Sequence, residues 1–504
     1  ANVGLFLKAR EEGFNGVRLR TLALESNFRS DEGIVDWVNQ TFWTEMPDGT
    51  KRFSHGLDFD VGADVQHAGD YTGGGRPRDG CVNGLIFSDR TIQPELIEVK
   101  KAQQYIGFKL TSSEQVGVEI ENKYNFTNLD QFDGSWELLR DGVLVKSGNL
   151  DNISVAPTQK TTVNIPVGAL DAGAEYAVTL RYKLPEKTLW ADAGHEVAAE
   201  QFVLQQATSA AMVGSGSVEV KESEKALELS ASGFAVRFDK QSGAISSIKS
   251  KGIEVLHQGQ GPQLNLYRSP VGNDRPFRAE WVQNGLNNPT ATTDSFSVEK
   301  QQDGSVVVRV VKSFKLKTGR VVHAAEYTVF GNGVILVANK VTPDEVQGIQ
   351  TFARVGLKLA ISKDLEQVEW VGRGPHENYP DRKSSALLGT YESSVTDLFT
   401  PYLIPQENGA RSDVRRVTLA SVDGKGPALV IESSAPFVFS ALHYTAGDFD
   451  AAIRPEYLKK RAETILCIDH KMLGLGNASC GPAPLVPHWV DVQPYAFDVT
   501  LKIQ

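Results

Sequence analysis

Val321-Val-His-Ala-Ala-Glu-Tyr-Thr-Val-Phe330-Gly-Asn-Gly-Val334-Ile-Leu-Val-Ala-Asn-Lys-Val341 holds two runs rich in β-branched and aromatic residues, and the runs are strands. The same texture extends in both directions. Phe234, Val236 and Phe238 alternate before a turn at Gly243, and Val306 to Val311 is another such run. Residues 218 to 504 show almost no helical periodicity and are too long for an ordinary sandwich, so one large two-sheet domain is the economical reading. No fixed-period repeat argues for a propeller or a solenoid.

Upstream, a polar small-residue stretch, Gln206 to Ser217, reads as a linker. Before it the period is again two. Val116, Val118 and Ile120 alternate with Gly117, Glu119 and Glu121, and Tyr176, Val178, Leu180 and Tyr182 repeat the pattern. Asp141-Gly142 separates Trp136 to Arg140 from Val143 to Lys146, the spacing of a two-residue hairpin. Residues 109–207 therefore have the size and pattern of an immunoglobulin-like sandwich. Residues 1–108 differ. Lys8 to Leu19 reads as a helix end, a Gly-Phe-Asn-Gly turn and a short buried strand, and Gln93 to Phe108 reads as a helix. In that helix Pro94 suits the first turn, Leu96, Val99, Ala102 and Ile106 form one face, and Lys100 and Lys101 lie outside.

The chain has 504 residues, with 52 Lys and Arg against 62 Asp and Glu, a formal charge of −10. With no basic block, a nucleic-acid or anionic-membrane partner is not expected, and a neutral ligand is. Cys81, Cys467 and Cys480 are too few to staple the fold. No apolar run approaches the roughly 18 residues of a membrane helix. The start at Ala1 and a total of three Met lead us to expect a processed or truncated N-terminus.

The densest polar segments are Gly372 to Arg382, Pro405 to Arg411, and Ile468 to His470 running into Gly474 to Gly481. Hydrolysis of a neutral sugar bond with retention needs two carboxyl groups about 5 to 5.5 Å apart, and candidates are plentiful. His376 with Glu377 or Glu407 could form an acid/base set, as in an epimerase acting on a sugar ring. The competing reading is that these Gly, Pro and Asn residues make turns while the Arg and Glu residues pair to lock loops together. Asp469-His470 with Cys467 lacks a second metal-spaced pair, so a zinc site is not expected. Gly372-Arg-Gly-Pro375 is no phosphate loop, and no Gly-x-Ser-x-Gly elbow occurs. A lone loop cysteine such as Cys480 is more often inert than nucleophilic.

The segments Arg268 to Arg275, Arg373 to Arg382, Pro405 to Gly409, and Asp469 to Gly476 with Ser479 to Pro482 resemble, in this order, the large C-terminal β-sandwich of the glycoside hydrolase family 2 β-galactosidases. Asp36 to Gln40, Gly56 to Asp60, Cys81 to Thr91 and Pro94 to Lys101 resemble the last strand, following loop and final helix of that family's (β/α)8 barrel. The resemblance implies a mainly β fold. Its order is a partial barrel remnant in 1–108, an Ig-like sandwich in 109–207, and a galactose-mutarotase-like sandwich in 218–504.

It also implies a retaining exo-glycosidase for terminal β-D-galactosides such as lactose, with two catalytic glutamates, magnesium and sodium. Such enzymes are often oligomeric and usually cytoplasmic, although periplasmic or secreted placement stays open. Asn83 matches the residue whose side-chain oxygen helps hold sodium near the galactose 6-hydroxyl, a role that suits a hard neutral donor. Cys480 matches a position where some members stack an aromatic on the sugar, so at most an apolar wall is expected there. Glu407, His376 and Asp381 carry over as structural.

Departures from the family pattern concern the chemistry. The nucleophile's position falls near Gly4, where the expected Glu-Tyr-Ala-x-x-Met-Gly-Asn-Ser run does not occur, and Glu11 and Glu12 read as solvated residues. Gly80 replaces a Phe, Val35 replaces the first Trp of Trp-Asp-Trp, and Gly13 to Leu19 resembles an early barrel segment. Neither catalytic glutamate nor the magnesium ligands are expected here, so no catalytic residue is assigned. The chain alone is expected to be inactive. The alternative is a non-catalytic carbohydrate-binding or assembly subunit completing a separate catalytic chain.

Overall fold

The structure, a computed structural model, describes residues 85–87, 90–150, 153–207, 213–479 and 481–504. The chain divides into two units between Thr91 and Ile92, and the helices and strands named here all belong to the unit from Ile92 onward. Residues 1–84, read from sequence as a barrel remnant and including Asn83, and Cys480 lie outside the described residues.

The described fold is mainly β. Its first element is the helix Pro94–Ala102, opened by Pro94 at a position where a missing N–H costs nothing. The helix expected to reach Phe108 stops at Ala102, because Ile106 already starts the strand Ile106–Ser112. Lys101 is not outside. Its ammonium bonds Glu200 at 2.9 Å and the Ala199 carbonyl, leaving the side chain 12% exposed.

Two small sheets then face each other. One orders Ile106–Ser112, Gly117–Asn122 and Lys160–Asn164, all antiparallel. The other orders Val143–Asn149, Asp133–Arg140, Tyr176–Lys183 and Glu196–Gln205. Val118, Ile120, Trp136, Val178 and Leu180 fill the space between them. Fully burying such side chains contributes roughly 1.5–3 kcal/mol each. The hairpin forms where the spacing placed it, with Arg140 opposite Val143 and φ of +50° and +80° at Asp141 and Gly142. Two positive φ values give the turn the twist its strands require.

Of the stretch read as linker, residues 208–212 lie outside the described residues, and Gly216 already accepts a hydrogen bond from Gly331 N at 2.9 Å. The second sandwich follows. Its smaller sheet has five strands, from Glu219–Glu222 through Ala226–Ala231, Phe234–Asp239 and Ala244–Ser250 to Ile253–Glu254. Its larger sheet has twelve strands. Nine run in the order Gln263–Asn265, Arg354–Ile361, Thr464–Met472, Ala428–Leu442, Tyr495–Ile503, Val334–Asp344, Arg320–Val329, Val306–Lys315, Thr290–Lys300. Arg411–Ala420 branches from the long Ala428–Leu442 strand and carries Gln367–Gly374, which in turn pairs with Leu387–Ser394. One hydrophobic core joins the two sheets, and the Phe238 and Tyr327 rings meet edge to face at 5.4 Å across it.

The two sandwiches touch. Ala177 and Thr179, on the outer face of their strand, are buried, and Gln201 links Thr179 Oγ1 to the Leu388 carbonyl while accepting from Leu388 N at 2.7 Å. Thr390 N donates to the Gly142 carbonyl at the hairpin tip, and Arg415 forks onto Glu175 at 2.6 Å.

Candidate functional site

Two polar segments far apart in sequence, Arg268 to Arg275 and Arg373 to Arg382, meet at the loop after Thr464–Met472. Arg268 has no exposed surface and forks onto Asp274 through Nε at 3.0 Å and Nη2 at 2.6 Å. Its remaining N–H groups donate to the carbonyls of Leu473 (2.6 Å) and Gly474 (3.1 Å). Burial alone would weaken the cation, but the Asp274 carboxylate holds it charged. Asp381 accepts from Leu475 N and Gly476 N, both at 2.8 Å. Gly474 is required there, since a Cβ would lie 2.6 Å from Asp381 Oδ2. Asn273 closes the frame, donating to the Gly476 carbonyl at 2.7 Å and accepting from Ser479 N at 3.0 Å. Three side chains thus fix the backbone on the N-terminal side of Cys480, up to the residue before it.

Neighbouring carboxylates are committed in the same way. Glu377 receives Arg382 at 2.6 Å, Tyr402 Oη at 2.8 Å and Gly409 N at 2.6 Å. Arg382 also binds Glu95 of the helix Pro94–Ala102. Glu407 pairs with the buried Arg354 at 2.5 Å, and Arg354 reaches Asp469 at 3.2 Å. Two carboxylates share one guanidinium, and burial pushes the Asp469 carboxyl up to about 7.

His376 faces Ser385 Oγ at 2.9 Å, and burial together with the Arg411 and Arg382 charges lowers it to about 4. No hydrogen bond joins it to Glu377 or Glu407 among the described residues. The acid/base set is therefore not assembled, because each member has a closer structural partner. The loop-locking reading of these segments is what the geometry displays.

Asn83 and Cys480 lie outside the described residues, so the structure does not bring them together or apart. Among the described residues no group of three His, Cys, Asp or Glu side chains is placed to hold a metal ion. His470 instead stacks on Phe497, with ring centroids 5.2 Å apart. No described helix is long and apolar enough to cross a membrane. Arg354 was missed from sequence. Its signal is an arginine within the largely apolar run Phe352 to Ile361, at a position whose alternate neighbours are Phe352 and Gly356.

A β-sandwich pair whose second member cages a polar loop with buried Arg–carboxylate forks defines the class structurally. Residues 230–501 match the protein family described as Beta galactosidase small chain, and residues 118–205 match Beta-galactosidase, domain 4. The chain belongs to the β-galactosidase small chain family. It is 29% identical to a β-galactosidase of Priestia megaterium over 90% of this chain and 43% of that protein. A Pseudoalteromonas haloplanktis β-galactosidase is 28% identical over 93% of this chain and 45% of its own length. The chain thus spans less than half the length of these curated relatives. A galactose mutarotase-like protein from Lactobacillus casei ATCC 334 aligns with 57% of this chain and 100% of its own, at 13% identity and a TM-score of 0.34.

Proposed function

We propose that this chain is the C-terminal framework of a retaining β-galactosidase that hydrolyses terminal β-D-galactosides by double displacement. The cage of Arg268, Asp381 and Asn273 around the loop leading into Cys480 carries this reading, because a wall of a sugar pocket must be held rigidly to position a ring. In it, Cys480 contributes an apolar wall and Asn83 a neutral oxygen for sodium. Magnesium ligands and both catalytic glutamates come from other residues of the complete active site, and the galactoside is the partner, bound in a homo-oligomer.

The described buried carboxylates support the non-catalytic part of this reading, since Glu377 and Asp274 each hold an arginine and a backbone amide. Purified chain incubated with a chromogenic β-galactoside is expected to release no chromophore above buffer. Turnover of ordinary efficiency would overturn the proposal. A second reading, a non-catalytic subunit completing a separate catalytic chain, draws support from the matched family's description as a small chain. Co-purification with a longer polypeptide that carries paired glutamates separates the two.

A further inference from the structure

Alternation along a sheet strand sends every second side chain to the face away from the core. On Arg354–Ile361 the residues Val355, Leu357 and Leu359 enter the core, while Arg354 and Lys358 take the other face. Lys358 stands opposite Gln263 on one side and Cys467 on the other, and Cys467 stands opposite Ser440. A polar row therefore crosses four strands of the large sheet. Above it lies a cavity of about 380 Å³, flanked by the loop Leu286 to Ala291 and the start of the short helix Ala446–Ala451.

The cavity is lined by groups with hydrogen-bonding capacity to spare. Glu407 has one oxygen on Arg354 and no hydrogen bond to the other among the described residues. Arg354 is enclosed and its Nε has no partner among them. Lys358 is exposed and forms no ion pair or hydrogen bond among the described residues. Asn287 and Asn288 add side-chain amides at the rim, and Tyr444 and Phe449 add aromatic surface. Buried donors and acceptors without partners are costly unless a ligand or water satisfies them.

The charges decide the ligand class. Arg354 is already paired with Glu407 and in contact with Asp469, so the buried charge is engaged, and the only ion left over among the described lining residues is the exposed Lys358 ammonium, a hydrated donor that serves a hydroxyl as well as an anion. Planar carboxylate, guanidinium and amide groups pair with adjacent hydroxyls, and aromatic faces cover C–H surfaces. The volume lies at the small end of the roughly 300–1,000 Å³ that small-molecule pockets occupy. We propose that this cavity binds a neutral pyranose, of one or two rings, through Glu407, Arg354, Lys358 and the Asn287–Asn288 amides. It is a binding site without chemistry of its own. No described histidine lines it, and burial raises the Cys467 thiol to about 11, leaving it an inert wall.

The inference stands apart from galactoside hydrolysis, because free D-galactose is not consumed and its binding is read whether or not the chain turns over a galactoside. Saturation-transfer NMR and titration calorimetry with D-galactose, D-glucose and methyl β-D-galactoside should detect millimolar binding. Lys358→Ala and Asn288→Ala, both exposed positions that leave the core intact, should together weaken it about tenfold, the loss of two polar contacts. Lys363→Ala, on an exposed turn outside the cavity, should leave it unchanged. Absence of binding by all three sugars overturns the proposal. So does binding that ignores the Lys358 and Asn288 changes, or salt-sensitive binding of galacturonate that exceeds that of galactose.

Discussion

Arg268 and Arg354 are both buried guanidinium groups, yet their surroundings differ in a way that stability measurements can separate. Arg268 meets one carboxylate and two carbonyls, so every contact is complementary. Arg268→Ala leaves Asp274 as an unpaired buried charge, and a loss of about 3–5 kcal/mol in urea unfolding is expected. Proteolysis near Gly474 to Ser479 should accelerate in the same variant, since two of the loop's carbonyl anchors go with it. Arg354 instead sits between two acids, and the surplus negative charge appears in pH dependence. The Asp469 carboxyl, ordinarily at 3.8, is raised to about 7, so its stabilising contribution is complete below 3.8 and is lost as pH climbs through 7. His323 and His376 act in the opposite sense. Burial lowers each from 6.5 to about 4, so their contribution is present above 6.5 and is lost as pH falls toward 4. Asp469→Asn removes the opposing acid, and its melting temperature should rise more steeply between pH 4 and 7 than the wild type's. Parallel profiles would exclude the assignment.

At the scale of elements, the hairpin at Asp141-Gly142 was legible because a two-residue loop between alternating runs has few solutions. What sequence could not show is why the tip must be glycine twice over. Its φ is +80°, and a Cβ would fall 2.9 Å from Val371 Cγ1 and 3.1 Å from the Gly389 carbonyl carbon. Gly142→Ala should cost about 1–3 kcal/mol by thermal unfolding, from backbone strain and overpacking together. A variant as stable as the parent would mean that the tip does not press on the second sandwich. The end of the helix Pro94–Ala102 was misread for a comparable reason. Ile106 continues the helical spacing of Leu96, Val99 and Ala102 and equally begins the period-two run Ile106–Gly107–Phe108. Only pairing of Ile106 with Asn122 and Phe108 with Ile120 settles the choice. The large strands were read correctly because their apolar runs bury one face or both along ten or eleven residues. The polar cavity row was invisible, since its members are drawn from four strands far apart in sequence.

Over the whole described part, the two sandwiches are fastened by groups no local pattern announces, because the partners are remote. Gln201 bonds both backbone groups of Leu388, Glu175 takes Arg415, and Gly142 receives Thr390. Such contacts couple the unfolding of adjacent domains. Calorimetry should show one transition for the parent, and Gln201→Ala with Arg415→Ala should split it into two; a single unshifted transition would count against coupling. The candidate site was legible as a set of segments, since their Gly, Pro and Arg residues stand out, but the role of each side chain was not. Whether Glu407 meets His376 or Arg354 depends on how separate strands register, and only coordinates settle that.

The helix Pro94–Ala102 reaches Arg382 through Glu95 in its first turn, Ser385 through Glu98, and Glu200 through Lys101 in its last. Its nine residues therefore work as a ruler whose phase matters as much as its length. Adding or deleting one residue between Glu95 and Lys101 would swing one anchor by about 100° and shift it by about 1.5 Å, so both could not stay engaged. Point changes along this segment should be borne far more easily than changes in its residue count.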